Sequence, residues 1–127
     1  MKVRITNNKI RYRVKQHEVQ LFKEKGFITE TLALGDESDD QIGFSLKRAD
    51  DEVYSIEYNQ CHITIQVPAH VSVEWVDTEM VGFEQKIKTS KGKEVYILVE
   101  KDFACMDGRE EDNEDTYPNP LAANSMN

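Results

Sequence analysis

The sequence predicts an α+β fold: a mainly antiparallel, curled sheet or barrel-like roll of about seven or eight strands with two short helices. Three observations predict it. Most segments alternate apolar and polar residues with a period of two. Two stretches break that alternation in favour of helical spacing. Polar pairs and charged clusters that favour turns fall between the alternating runs. Two helices can cover only one face of such a sheet, so curling is the expected way to bury the rest.

The elements follow in order. Val3 and Ile5 alternate with Lys2, Arg4 and Thr6; Ile10, Tyr12 and Val14 alternate with Lys9, Arg11 and Arg13. Asn7-Asn8 between them tolerates positive φ, so a two-residue hairpin is expected. It would set Ile5 opposite Ile10, Val3 opposite Tyr12, Arg4 opposite Arg11 and Lys2 opposite Arg13. Val19 and Phe22 then recur at i, i+3, followed by Lys23, Lys25 and Gly26, which reads as a helix over 15–25 with its C-cap. Phe27 to Leu34 reads as a strand and Gly35 to Asp40 as an acidic loop. Ile42, Phe44 and Leu46 mark the next strand, and Asp50-Asp51-Glu52 a turn. Tyr54, Ile56 and Tyr58 pair through a turn at Asn59-Gln60 with Cys61, Ile63 and Ile65. That register sets Tyr58 against Cys61 and His62 against Glu57. Pro68 is placed to open a short helix through Val71–Val76. Val81, Phe83 and Ile87, then Val95, Ile97 and Val99, form the last two strands around a turn at 90–93. No internal repeat is evident. The domain is expected over 1–106, with 107–127 an acidic, largely irregular tail.

The chain has 127 residues and a formal net charge of −8, which argues against nucleic acid and against an anionic membrane surface as partners. No apolar run approaches the roughly 20 residues that span a bilayer, and the opening Met1-Lys2-Val3-Arg4 has no signal-like apolar segment. A cytoplasmic protein is expected, with Cys61 and Cys105 reduced and mostly buried. Charge is segregated. Residues 1–25 hold eight basic and two acidic residues, whereas Asp107 to Asp115 hold six acids and one arginine.

The chemistry-bearing side chains form few patterns. His17, His62, His70, Cys61 and Cys105 show no zinc-ligand spacing, so no metal or cofactor is expected. Asp36-Glu37-Ser38-Asp39-Asp40 lacks the spacing of a calcium loop. The acids around Cys105 would raise a thiol pKa, which disfavours a nucleophile. Tunnel-shaped β enzymes acting on triphosphates carry a paired-glutamate E-x-E-x-K near the N-terminus; Lys2-Val3-Arg4-Ile5-Thr6 stands in that place. Trp75, Tyr54, Tyr58, Phe44 and Phe83 read as core aromatics.

Met1-Lys2-Val3-Arg4-Ile5 through Ile10-Arg11-Tyr12-Arg13-Val14, Val99-Glu100-Lys101-Asp102-Phe103-Ala104-Cys105 and Tyr117-Pro118-Asn119-Pro120 together resemble an uncharacterised family of short acidic bacterial proteins found among Bacteroidetes. The resemblance implies no activity, substrate or cofactor.

The functional expectation rests on the first hairpin. Like charges directly opposite one another on a sheet repel by several tenths of a kcal/mol per pair. Arg4, Arg11 and Arg13, with Lys101, are therefore the expected ligand-binding residues. Their counter-anion is a neighbouring strand's carboxylates, the acidic tail, or an external anionic small molecule or acidic protein segment. The expected function is non-catalytic binding. The alternative is a small enzyme acting on a phosphate-containing or acidic substrate, its polar site inside the roll. A homo-oligomer surface is left open.

Overall fold

The alternating segments become eight strands in a computed structural model that describes residues 1–103. They are β1 (Lys2–Thr6), β2 (Lys9–Val14), β3 (Phe27–Ala33), β4 (Gln41–Arg48), β5 (Ser55–Asn59), β6 (His62–Val67), β7 (Gly82–Lys88) and β8 (Glu94–Lys101). Helix α1 (Gln16–Lys25) separates β2 from β3, and α2 (Ala69–Asp77) separates β6 from β7. The expected tail over 107–127 and Cys105 lie outside the described residues.

The single antiparallel roll is not what forms. There are two four-stranded sheets, ordered β1-β2-β8-β7 and β3-β4-β6-β5, hereafter the first and second sheet. Both are mixed, because β2 runs parallel to β8 and β4 parallel to β6, and they do not close into a barrel. Alternation reports which face a residue takes; it does not report which distant strands become neighbours. Short turns force antiparallel hairpins, whereas each helix carries the chain from one sheet to the other, and that crossover sets the parallel pairs.

The first hairpin has the expected register: Arg4 pairs with Arg11, Lys2 with Arg13 and Ile5 with Ile10. Asn7 and Asn8 both take positive φ (52° and 60°). The second hairpin turns two positions' worth of pairing later than expected. Its left-handed residues are Gln60 and Cys61, which set Asn59 against His62, Tyr58 against Ile63 and Glu57 against Thr64. Face assignment survives this shift, but the expected His62–Glu57 pair does not. Cys61 is consequently an exposed thiol at a turn, not a buried one.

The chain also contains a duplication that direct reading of the sequence misses. Each half is hairpin, helix, hairpin, and each sheet takes one hairpin from each half. Ile10, Val14 and His17 recur as Ile63, Val67 and His70 at a spacing of 53. The same spacing relates backbone hydrogen bonds. Gly43 N donates to Cys61 O, and Tyr96 N to Asn8 O; Ala49 N donates to Val67 O, and Asp102 N to Val14 O. Phe22 and Trp75 are equivalent by this rule and meet edge to face, 5.7 Å between ring centroids.

One core joins the sheets. Ile10, Tyr12, Val14, Ile97 and Val99 from the first sheet meet Ile28, Leu46, Ile65 and Val67 from the second, with Phe22 and Trp75 entering from the helices. Trp75 also stacks edgewise on Phe83 at 5.6 Å, and its Nε1–H donates to Val81 O at 3.1 Å. Among the described residues this apolar filling occupies the place where a polar site inside a roll was expected. Tyr58 is 72% exposed, so it leaves the expected set of core aromatics.

Helix α1 begins where the Glu18 carboxylate accepts the Lys15 N–H, and ends at Gly26, whose φ of 81° a Cβ would strain. Glu18 also accepts a hydrogen bond from the Met1 ammonium, which is held as well by Glu30 at 2.7 Å. Burial alone would raise the Glu18 pKa; the ammonium and the Lys15 N–H outweigh it and bring the carboxyl below its ordinary range.

Candidate cationic face of the first sheet

Period two puts Lys2, Arg4, Lys9, Arg11 and Arg13 together on the side of β1 and β2 that turns away from the core. The neighbouring strand β8 and the residue just past its end supply carboxylates, Glu100 and Asp102. The β2–β8 register sets Arg13 beside Glu100 and Arg11 beside Leu98. Arg11 Nε donates to Glu100 Oε1 at 2.7 Å, and its terminal nitrogen engages the same oxygen. Arg13 Nη2 lies 3.0 Å from Asp102 Oδ1, with its Nε 3.7 Å from Glu100. Lys2 Nζ approaches Asp102 Oδ2 at 3.5 Å. Both arginines also engage groups beyond these. The side chains of Arg11, Arg13, Glu100 and Asp102 are 14–20% exposed, which strengthens their attraction relative to surface pairs.

The crowding of guanidinium groups is thus relieved in part by a neighbouring strand, one of the three expected sources of anion. The relief is unequal. Arg4 and Lys9 are exposed and have no carboxylate partner among the described residues. Lys9 instead sits over the Tyr96 ring at 4.7 Å, and the Tyr96 hydroxyl donates to Glu84, which raises the phenol's pKa.

Lys101 does not join the arginines. It is level with Val14 in the β2–β8 register, on the opposite side from Arg11 and Arg13. Its ammonium donates to Thr78 O at 2.9 Å.

Sequence reasoning missed a second polar group, on the outer face of the second sheet. Ser45 Oγ lies 2.8 Å from Thr29 Oγ1 and 2.6 Å from His62 Nε2, and Ser45 is 6% exposed. The imidazole covers Gly43, where a Cβ would come within 2.5 Å of Nδ1. A Ser–His contact can serve nucleophilic catalysis when a third group orients the base. Among the described residues no carboxylate orients His62, and the Ser45 hydroxyl is shared with Thr29. The arrangement therefore satisfies a buried hydroxyl across three strands. The sequence signal was present, as a serine and a threonine on adjacent strands, but the parallel β4–β6 pairing that delivers His62 was not foreseeable. Among the described residues no three His, Cys, Asp or Glu side chains converge to hold a metal ion.

The fold and this face define a duplicated α+β protein with one strongly basic sheet surface. The chain belongs to DUF7009, a family of unknown function whose family model matches residues 1–121. No curated protein and no solved structure matches it. No helix of the described residues is long and apolar enough to cross a membrane.

Proposed function

We propose that the protein is a non-catalytic binding protein of the bacterial cytoplasm, and that the outer face of β1 and β2 engages an acidic protein segment. Arg4 and Lys9 make the primary contacts. Arg11 and Arg13, held in place by Glu100 and Asp102, flank them and add to the positive potential of the face.

The observation that carries this reading is the imbalance on the face. Five cations project from the hairpin; among the described residues Glu100 of β8 and Asp102 just after it answer Lys2, Arg11 and Arg13, and no carboxylate answers Arg4 or Lys9. This excess persists in a chain whose net charge is −8, so it is local and not a consequence of composition. An extended acidic segment laid along β2 would place a carboxylate every second residue, matching the spacing of Lys9 and Arg11, with Arg4 directly across from Arg11 on β1.

The test is fluorescence anisotropy with a labelled oligo-glutamate peptide. Binding that weakens as salt rises is expected, with a loss of about tenfold or more in the double variant Arg4→Glu/Lys9→Glu. Neither residue carries an ion pair among the described residues, so both substitutions leave the scaffold intact. Equal affinity in the double variant, or no binding by the wild type, would overturn the assignment.

A further inference from the structure

A recess of about 460 Å³ opens between α1 and the end of β8. Its volume lies within the range of small-molecule sites, about 300–1,000 Å³. Val19 and Val76 form half-buried apolar walls, and Phe103 stands 56% exposed beside them. An apolar body laid against Val19 and Val76 gains from the apolar area removed from water.

The charges around the recess are not equally engaged. Lys23 is neutralised by Asp77 at 3.0 Å. Both oxygens of Asp102 are taken, one by Arg13 and the other by Lys2. Lys101 has a backbone carbonyl as its partner and no carboxylate among the described residues. An ammonium satisfied by one carbonyl keeps two donors and its full charge. The wall therefore presents, next to an apolar surface, one ammonium that no carboxylate among the described residues neutralises.

The other half of the duplication does not repeat this site. Lys101 corresponds there to Arg48, whose guanidinium covers Gly26, and Asp102 corresponds to Ala49. The recess is thus particular to one half and is not a by-product of the repeated fold.

We propose that this recess binds a medium-chain monocarboxylate, with its carboxylate on the Lys101 ammonium and its chain against Val19, Val76 and Phe103. This site is separate from the acidic-segment face, because Lys101 and Arg11 lie on opposite sides of the first sheet.

The test is titration of the ¹⁵N-labelled protein with sodium octanoate, followed by amide shifts. Saturable shifts at Val19, Val76 and Lys101 are expected. Lys101→Met should weaken binding about tenfold while Lys101→Arg retains most of it, and octan-1-ol should bind about tenfold more weakly than octanoate. Phe103→Ala, at an exposed position, should weaken binding severalfold, and Arg4→Glu should not change it. Absence of saturable shifts at about 10 mM octanoate would overturn the proposal. So would equal binding of octan-1-ol, preference for octylamine, or an unchanged affinity in Lys101→Met.

Discussion

The two sheets share one skeleton and carry opposite kinds of surface. At a spacing of 53, Arg11 corresponds to Thr64, Arg13 to Gln66, Arg4 to Glu57, Lys9 to His62 and Asp102 to Ala49. On the inner side the correspondence is conservative: Ile10 with Ile63, Val14 with Val67, Leu46 with Val99, Phe22 with Trp75. The inner positions answer to packing, which penalises changes of volume and polarity alike. The outer positions are free of that constraint. In the second sheet they hold hydroxyls and an imidazole with the scattered charges of Glu57 and Lys47; in the first they hold a crowd of cations, of which Arg4 and Lys9 have no carboxylate partner among the described residues. Because the scaffold is common to both, the charge on the first sheet is not needed to make the fold.

The comparison can be broken first at the point both halves share. Trp75→Ala and Phe22→Ala should each cost about 3–5 kcal/mol, and their effects should not add, since the rings touch. Denaturant unfolding of the two single variants and the double variant checks this. A loss confined to one residue would mean that the halves do not lean on a common centre.

The next effect separates the outer faces. Glu100→Ala removes a carboxylate that two mostly shielded arginines share and should cost about 1–3 kcal/mol. Its counterpart in the second sheet, Lys47→Ala, should stay within about 0.5 kcal/mol, because Lys47 is exposed and makes no ion pair among the described residues. Equal costs would show that the first sheet's ion pairs contribute nothing beyond surface charge.

A smaller effect concerns Tyr12. It is fully buried, and its hydroxyl has no hydrogen-bond partner among the described residues. The equivalent position holds Ile65, also fully buried, so the scaffold does not require the hydroxyl. Tyr12→Phe should stabilise the protein by about 1 kcal/mol. Burial also raises the Tyr12 pKa above its ordinary value. The folded state then holds the proton more tightly than the unfolded chain. Stability is therefore intact below the unfolded value of about 10 and falls as pH rises beyond it. Thermal melts from about pH 9 to about pH 11, either side of that unfolded pKa, should show a steeper loss for the wild type than for Tyr12→Phe.

The smallest effect lies at Glu18. Its pKa is lowered on folding, so its contribution is present above the unfolded value and is lost as pH falls through the folded one. Glu18→Gln should be less stable than the wild type at neutral pH, and the two should converge in acid. A gap that persists at low pH would assign the effect to packing.

Most faces were legible in the sequence, and the pairing of strands was not. Lys2–Arg13 and Arg4–Arg11 could be read because Asn7-Asn8 fixes a local register. Tyr58 and His62 were misplaced because Asn59, Gln60 and Cys61 offer two turns with the same alternation. The parallel neighbours β8 and β6 could not be read at all. They are joined to their partners through the core, and Glu100 reaches Arg11 from 89 positions away. The duplication escaped because packing preserves hydrophobicity and size, not identity. Lys101 was grouped with the arginines by charge alone; its register with Val14 puts it on the other side.

The most direct test of the comparison is a ¹⁵N-edited titration of the whole chain with the oligo-glutamate peptide. The account predicts shifts concentrated at Arg4, Lys9 and Arg11, with none at Glu57, His62 and Thr64. Shifts spread evenly over both hairpins, or confined to the second, would contradict it.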